Sequence, residues 1–237
     1  MMEKLSIIIP AYNEEKTILN VIKKVKEVKI GDVVKEIIVV DDCSQDNTKN
    51  ILSKIKDKSV KILYHKKNMG KGAAIRTALE HSTGGIISIQ DADLEYDPKN
   101  VVKLVQPILR GKSDVVYGSR FLGKKVSFFG LRKIPIPLHW IGNRGLTFIT
   151  NLLYNGSITD METGCKVFRK SVVNRMKLKA KRFDFEPEIT AKILKRGYKI
   201  KEIPIDFKPR SFNEGKKITW RDGIKAAYYL LKYRFFD

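Results

Sequence analysis

The chain has 237 residues, 43% of them hydrophobic, enough to bury a sizeable core and too apolar for a disordered polyelectrolyte. It carries 47 Lys and Arg against 26 Asp and Glu, a formal net charge of +21, which points to an anionic partner: nucleic acid, a membrane surface or a phosphorylated substrate. The excess is uneven, with 21 basic and 16 acidic residues in 1–120 (net +5) and 26 and 10 in 121–237 (net +16).

In chain order, Leu5–Ile9 is a short β-branched run ended by Pro10. Glu14–Val28 repeats apolar residues at Ile18, Val21, Ile22 and Val25, a helical period. Glu36–Val40 is a buried-strand run, Thr48–Ile55 is helical and Val60–Tyr64 strand-like. Ala73–Leu79 continues as helix after Gly70 and Gly72; Ile86–Ile89 is strand, Val101–Leu109 helix and Val115–Tyr117 strand. Apolar strands separated by helices predict an α/β fold with a mostly parallel sheet covered on both faces. The second half is less regular. Residues 121–137 form a loop and His139–Leu153 an amphipathic helix. Cys165–Phe168 is a strand, Ser171–Met176 and Glu186–Lys195 are helices, and Lys199–Phe207 is extended. Residues 208–218 form a polar loop before an amphipathic helix at Trp220–Tyr233.

Two cysteines, Cys43 and Cys165, outside any CxxC pair, fit reduced thiols in a reducing compartment. No signal peptide opens the chain, because Leu5–Pro10 is too short for an apolar leader core and Glu14-Glu15 follows closely. The longest apolar stretch, Ile134–Tyr154, contains His139, Asn143, Arg144 and Asn151; a central Arg costs ~2.5–3.5 kcal/mol on insertion, so no membrane-spanning helix is expected.

Ligands of such sheets sit at the carboxyl ends of the strands. Those ends read Pro10-Ala11-Tyr12-Asn13-Glu14, Asp41-Asp42-Cys43-Ser44, Asp91-Ala92-Asp93-Leu94-Glu95 and Gly118-Ser119-Arg120. Asn13, Ser44 and Asp46 have the chemistry of helix caps. Capping does not account for Asp91 and Asp93 together. Carboxylates two apart in an extended segment point to one side, an unfavourable pairing unless a cation sits between them. Mg²⁺ or Mn²⁺ is such a cation and keeps sites open for substrate phosphates, which implies a diphosphate ligand. Gly70-Lys71-Gly72 fits either a backbone approach to a ligand or a plain glycine loop; it has neither Walker nor dinucleotide-fingerprint spacing.

Together, Pro10–Glu14 (PAYNE), Val39–Ser44 (VVDDCS), Asp91–Glu95 (DADLE), Gly118–Arg120 (GSR) and a late Arg210-x5-Lys216 resemble the family 2 inverting glycosyltransferases. The segments Asp160–Lys170, Arg182–Ile189 and Arg210–Ile218 are similar to the branch of dolichyl-phosphate mannose synthase and its polyprenyl-phosphate glucosyl relatives. The resemblance runs from Leu5 to about Lys217. It implies a GT-A (Rossmann-like) fold over residues 1–218, with 120–155 as an interfacial acceptor-side segment and 219–237 as a C-terminal amphipathic helix. It also implies Mg²⁺ or Mn²⁺, a nucleotide-sugar donor (GDP-mannose or UDP-glucose) and a polyprenyl phosphate acceptor. By the same resemblance, Pro10, Tyr12 and Glu14 border the nucleoside and Asp42, with Asp41 as the alternative, hydrogen-bonds the base or ribose, with Val40 and Ala92 in the same set. Asp91 contacts the nucleotide sugar, Asp93 and Glu95 hold the metal, and Arg120, Arg210 and Lys216 meet phosphates. Arg182 and Glu186 form a pair near the metal and diphosphate.

A polyprenyl phosphate is an anion at neutral pH and needs no base before attack, in keeping with only three histidines. The work is then to position two anions and stabilise the departing nucleoside diphosphate. Lys and Arg mixed with Phe, Trp, Leu and Tyr in Lys124–Leu153 and Trp220–Phe236 fit either a solvated basic face or helices lying on an anionic membrane surface. The localisation expected is cytoplasmic and peripheral to the membrane. Another lipid or glycan acceptor would need a base, for which Glu186 and Asp160 are the candidates. A nucleotidyltransferase would need a clearer phosphate loop. Nucleic acid is not expected, since no binding motif appears and acidic strand ends repel phosphates.

Overall fold

In the computed structural model of the chain, residues 3–123, 137–210 and 220–236 are described. Seven strands form one sheet: β1 (Lys4–Ala11), β2 (Val34–Asp41), β3 (Val60–Tyr64), β4 (Ile86–Ile89), β5 (Val115–Ser119), β6 (Lys166–Arg169) and β7 (Ile200–Pro204). Their order is β3-β2-β1-β4-β6-β5-β7. Every pairing is parallel except those of β6, which runs antiparallel to both β4 and β5. The helices are α1 (Ile18–Glu27), α2 (Thr48–Ser53), α3 (Lys71–His81), α4 (Asn100–Leu109), α5 (Pro137–Tyr154), α6 (Lys170–Val173), α7 (Phe185–Lys195) and α8 (Trp220–Phe235).

The strands are apolar throughout because successive side chains enter different cores. Ile7, Ile9, Ile37 and Val39 pack with Ile18, Val21, Ile22 and Val25 of α1 and with Leu104, Val105 and Ile108 of α4. Ile8, Ile38 and Val40 face the other way, onto Ala74, Ile75 and Ala78 of α3 and Ile189 and Ile193 of α7. Each such side chain, fully buried, contributes ~1.5–3 kcal/mol. A third cluster joins α5, α7 and α8 through Leu146, Tyr154, Ala191, Ala226, Leu230 and Tyr233, so the C-terminal helix shares a core with the rest of the chain.

Two local devices aim polar groups at the carboxyl edge. The reversed direction of β6 puts the segment before it, Asp160–Cys165, beside the ends of β4 and β5. Asn13, Cys43 and Leu94, just past β1, β2 and β4, adopt positive φ (51°, 61° and 61°), a conformation uncommon for residues other than glycine that turns the chain sharply. Asn13 and Ser44, expected as helix caps, instead stitch two strand ends together: Asn13 N–H donates to Ser44 Oγ (2.9 Å) and Gln45 N–H to Asn13 Oδ1 (2.8 Å). Cys43 and Cys165 are free thiols.

Candidate active site

The strand ends line a cleft of about 310 Å³, bordered by Pro10, Tyr12, Glu14, Asp42, Asn68, Gly70, Lys71, Asp91, Ala92, Asp93, Glu95, Arg120, Arg182 and Arg210 among others. Thus most of the sequence-predicted residues meet in one place. Val40 is wholly buried in the core beneath, so its side chain packs under the cleft rather than lining it. Lys216 lies outside the described residues, as do residues 124–136 of the acceptor-side segment.

At the end of β2, Asp42 is buried and fully engaged: its carboxylate accepts from Met69 N–H (2.8 Å) and Gly70 N–H (2.6 Å) and pairs with His65 Nδ1 (2.7 Å). It therefore shapes the loop that leads into α3. In that loop Gly70 has φ +92° and ψ 163°, a region open essentially to glycine alone. A Cβ there would lie 2.3 Å from the Lys181 carbonyl oxygen. Gly72 and Ala73 N–H groups donate to the carbonyls of Arg182 (3.2 Å) and Lys181 (3.1 Å). The close backbone approach that the glycine pair permits is thus to the chain's own 180–182 segment, which brings Arg182 and Phe183 to the rim.

The Asp91–Glu95 segment departs from the expected extended geometry. β4 ends at Ile89, and Asp93 Oδ1 accepts from Glu95 N–H (3.0 Å) across a turn built on Leu94. The two aspartates consequently serve different cations: Asp91 pairs with Lys71 (2.8 Å), and Asp93 with Arg210 (3.1 Å). Burial, then the charges of Asp91 and Glu95, push the Asp93 carboxyl above its usual range, against the pull of Arg210. A site that penalises its own negative charge in this way attracts a further cation.

Lys71 was not legible as a site residue. Its ammonium bridges Asp91 and Glu186 (2.9 Å) on the cleft floor. Burial opposes its charge, but the two carboxylates outweigh that and hold it protonated well above the ordinary lysine range. Glu186 sits behind Lys71, with its second carboxylate oxygen buried and unpartnered. Deeper still lies Lys166, almost wholly buried, donating to the carbonyls of Met161 (3.0 Å) and Thr163. Burial lowers the pKa of Lys166 and raises that of neighbouring Glu162.

Arg120 is clamped. Its Nε and Nη2 donate to the two oxygens of fully buried Asp160 (2.8 Å each), and its backbone N–H donates to the same carboxylate (2.9 Å). The guanidinium also stacks near the rings of Phe121 (5.4 Å) and Phe207 (5.2 Å). Asp160, considered from sequence only as a candidate base, here positions an arginine. Arg210 spans three carboxylates, with Glu14 at 3.2 Å, Asp93 at 3.1 Å and Glu95 at 3.9 Å. The cleft is therefore an array of alternating carboxylates and cations, suited to a ligand that carries phosphates together with a divalent ion.

Among the described residues, no three His, Cys, Asp or Glu side chains gather around one point to hold a metal alone. All-oxygen donors at Asp93 and Glu95, in a cluster short of positive charge, fit Mg²⁺ or Mn²⁺ bound by one or two carboxylates and completed by phosphate oxygens.

Comparison with known proteins agrees. Residues 6–176 match the model of Glycosyl transferase family 2. The chain is 31% identical over 99% of its length to an uncharacterized protein of Methanocaldococcus jannaschii, covering 93% of that protein. It is 32% identical over 95% of its length to a UDP-N-acetylglucosamine–dolichyl-phosphate N-acetylglucosaminyltransferase of Methanococcus voltae, covering 94% of it. Among solved structures, glucosyl-3-phosphoglycerate synthase from Mycobacterium tuberculosis, in complex with Mn²⁺, UDP and phosphoglyceric acid, superposes with a TM-score of 0.73 at 20% identity. That match covers 99% of this chain and 80% of the synthase. The fold is GT-A.

Proposed function

The chain belongs to Glycosyl transferase family 2, and from that premise we propose that it moves a sugar from a nucleoside diphosphate sugar to a polyprenyl phosphate, with Mg²⁺ or Mn²⁺. The observation that carries this reading is the cleft itself, where Asp91, Asp93 and Glu95 stand among Lys71, Arg120 and Arg210 at the carboxyl ends of the strands. Of the donors left open by sequence, the UDP-N-acetylglucosamine-dependent relative and the synthase solved with UDP favour a UDP-linked sugar over GDP-mannose, and they add N-acetylglucosamine to glucose as the sugar.

A divalent ion at Asp93 and Glu95 would neutralise charge developing on the leaving diphosphate. The protein groups do the rest. Pro10, Tyr12 and Asp42 border the nucleoside end, with Asp42 acting through the loop it shapes. Lys71 holds Asp91 and Glu186 in place, and Arg120, fixed by Asp160, presents a constant positive charge to the anions. An acceptor phosphate, already ionised, attacks without a base. Arg182 and Lys216 are assigned to the same phosphates. Asp93→Ala is expected to abolish metal-dependent transfer; near-normal turnover in that variant would overturn the metal assignment.

We also propose that the protein docks peripherally on the cytoplasmic face of an anionic membrane through α5 and α8. No helix among the described residues is long and apolar enough to cross a membrane. Yet Trp140, Ile141, Phe148 and Leu152 of α5 and Ile224, Tyr228, Leu231 and Phe235 of α8 are exposed, beside exposed Arg144, Lys225, Lys232 and Arg234. α5 carries no acidic residue, and Asp222 is the only one in α8. This pairing of apolar and basic side chains suits lipid headgroups above acyl chains.

A further inference from the structure

We propose that Glu202, which does not border the cleft, is the positioning residue for Arg120: its carboxylate fixes, by two separate arms, the groups that hold that guanidinium in place. The proposal rests on the assignment of Arg120 to the phosphates and adds how that arginine is kept ready for them.

The first arm runs through Asp160. Its fully buried carboxylate accepts three hydrogen bonds from Arg120, at 2.8 Å, 2.8 Å and 2.9 Å. A single methylene joins that carboxylate to the backbone, so the backbone decides where its oxygens lie. Thr159 and Asp160 fall between α5 and β6, outside the sheet, and their N–H groups need partners other than a neighbouring strand. Glu202 takes both: Oε2 accepts from Thr159 N–H (2.7 Å) and Oε1 from Asp160 N–H (3.0 Å). The next N–H, of Met161, donates to Thr147 Oγ1 (3.1 Å), so side chains hold three successive peptide groups here.

The second arm runs through hydroxyls. Thr159 Oγ1 donates to Glu202 Oε2 (2.8 Å). An ionised carboxylate only accepts, so the one hydroxyl proton of Thr159 is committed to it, and Ser119 Oγ must donate to Thr159 Oγ1 (2.7 Å). Ser119 Oγ in turn accepts from the N–H groups of Phe121 (3.1 Å) and Leu122 (3.0 Å). Ser119 and Phe121 are the chain neighbours of Arg120 on either side. The charge of Glu202 therefore sets the direction of the bonds on both sides of the arginine.

The sheet supplies the register for both arms. Glu202 lies in β7 opposite Tyr117 of β5, the strand that ends in Ser119 and leads directly into Arg120. Past the end of β7, the Phe207 ring packs on the same guanidinium (5.2 Å). Burial and the charge of Asp160 raise the Glu202 carboxyl, while the hydrogen bonds from Thr159 and Asp160 oppose that rise, so the ionised form is favoured by the groups it positions. An amide in its place would turn an N–H toward one of these donors and break one of the two arms.

The test reads Arg120 directly, through solvent exchange of its side-chain Nε–H in nitrogen-15 NMR of the full chain, with Arg120→Lys identifying the resonance. In Glu202→Gln that exchange should become at least ~10-fold faster relative to the core amides of β1, which report global unfolding. A second readout is transfer from a labelled UDP-sugar to a polyprenyl phosphate. Glu202→Gln should lower kcat/KM at least ~10-fold in the wild-type background but less than ~3-fold in Arg120→Lys, where the loss has no arginine left to act through. Glu202→Asp, which keeps the charge with a shorter reach, should fall between, and serves as the reporter if the Gln variant does not fold. Unchanged Nε–H exchange, or equal losses of activity in the two backgrounds, would overturn the proposal and leave Glu202 a support of the fold alone. Absence of transfer by wild type would overturn the functional reading instead, while the exchange measurement would still decide whether Glu202 fixes Arg120.

Discussion

Removing the apolar face of α5 and α8 should detach the protein from membranes without unfolding it. The perturbation is Phe148→Ser, Leu152→Ser, Ile224→Ser and Leu231→Ser together. These side chains are 68%, 72%, 62% and 48% exposed, so they contribute little to the folded core and are free to enter lipid. Full burial of such a side chain is worth ~1.5–3 kcal/mol, so burying the exposed part of each contributes about 1–2 and the four together about 4–8 kcal/mol. Arg144, Lys225, Lys232 and Arg234 add about 1 kcal/mol each near an anionic surface. The quadruple variant should therefore lose at least ~100-fold in partitioning onto anionic vesicles, measured by co-sedimentation, because it loses the larger share of that sum. Its residual binding should vanish at high salt. Thermal unfolding should move little, as for other exposed substitutions. Undiminished co-sedimentation of the variant would refute the assignment of this face. Failure of wild type to bind at low salt would refute membrane docking altogether, and a wild-type dimer broken by the same substitutions would identify a second copy as the occupant.

Three further outcomes follow from the geometry. Gly70→Ala forces a Cβ to within 2.3 Å of the Lys181 oxygen at φ +92°, and should cost about 3 kcal/mol or more in urea unfolding and weaken UDP binding; a change under ~0.5 kcal/mol would contradict the reading of this loop. Asp160→Asn leaves the Arg120 charge largely buried without its carboxylate and should cost ~3–5 kcal/mol together with most activity, whereas wild-type stability would show that the clamp is unnecessary. Glu36 gives the acid limb of stability. Burial alone would raise its pKa, but Ser6, Thr83 and Lys4 bond its carboxylate and hold it at about 2 against an ordinary 4.5. Its contribution is then fully present above about pH 4.5 and is lost as pH falls toward 2. Glu36→Gln should flatten that limb, and an unchanged pH profile of unfolding would show that the carboxylate is not held as described.

The strand ends were readable because two signals coincide there: a β-branched run, then polar residues that an apolar run does not need. Ile86–Ile89 followed by Asp91 and Asp93 is such a place, and the cleft lies at it. What could not be read was how those carboxylates are shared out. The turn at Leu94 is a tertiary outcome, and it assigns Asp91 to Lys71 and Asp93 to Arg210. Lys71 was not legible because a lysine between two glycines gives no sign of the partners its side chain reaches, Asp91 and Glu186, which lie 20 and 115 residues away. The ion pair of Glu14 with Arg210 spans 196 residues, and that of Arg120 with Asp160 spans 40, distances at which local pattern carries no information. The antiparallel setting of β6 was hidden for a related reason, since four residues of strand give no sign of direction. Helix periods were the most reliable signal: Ile18, Val21, Ile22 and Val25 are all buried on one side of α1.

The most direct measurement incubates the protein with Mg²⁺, a polyprenyl phosphate and, in separate reactions, labelled UDP-glucose, UDP-N-acetylglucosamine and GDP-mannose, then extracts the lipid phase. The account predicts label in the lipid from a UDP-linked sugar, lost on chelation of the metal and in Asp93→Ala. Absence of lipid label from every donor would contradict it.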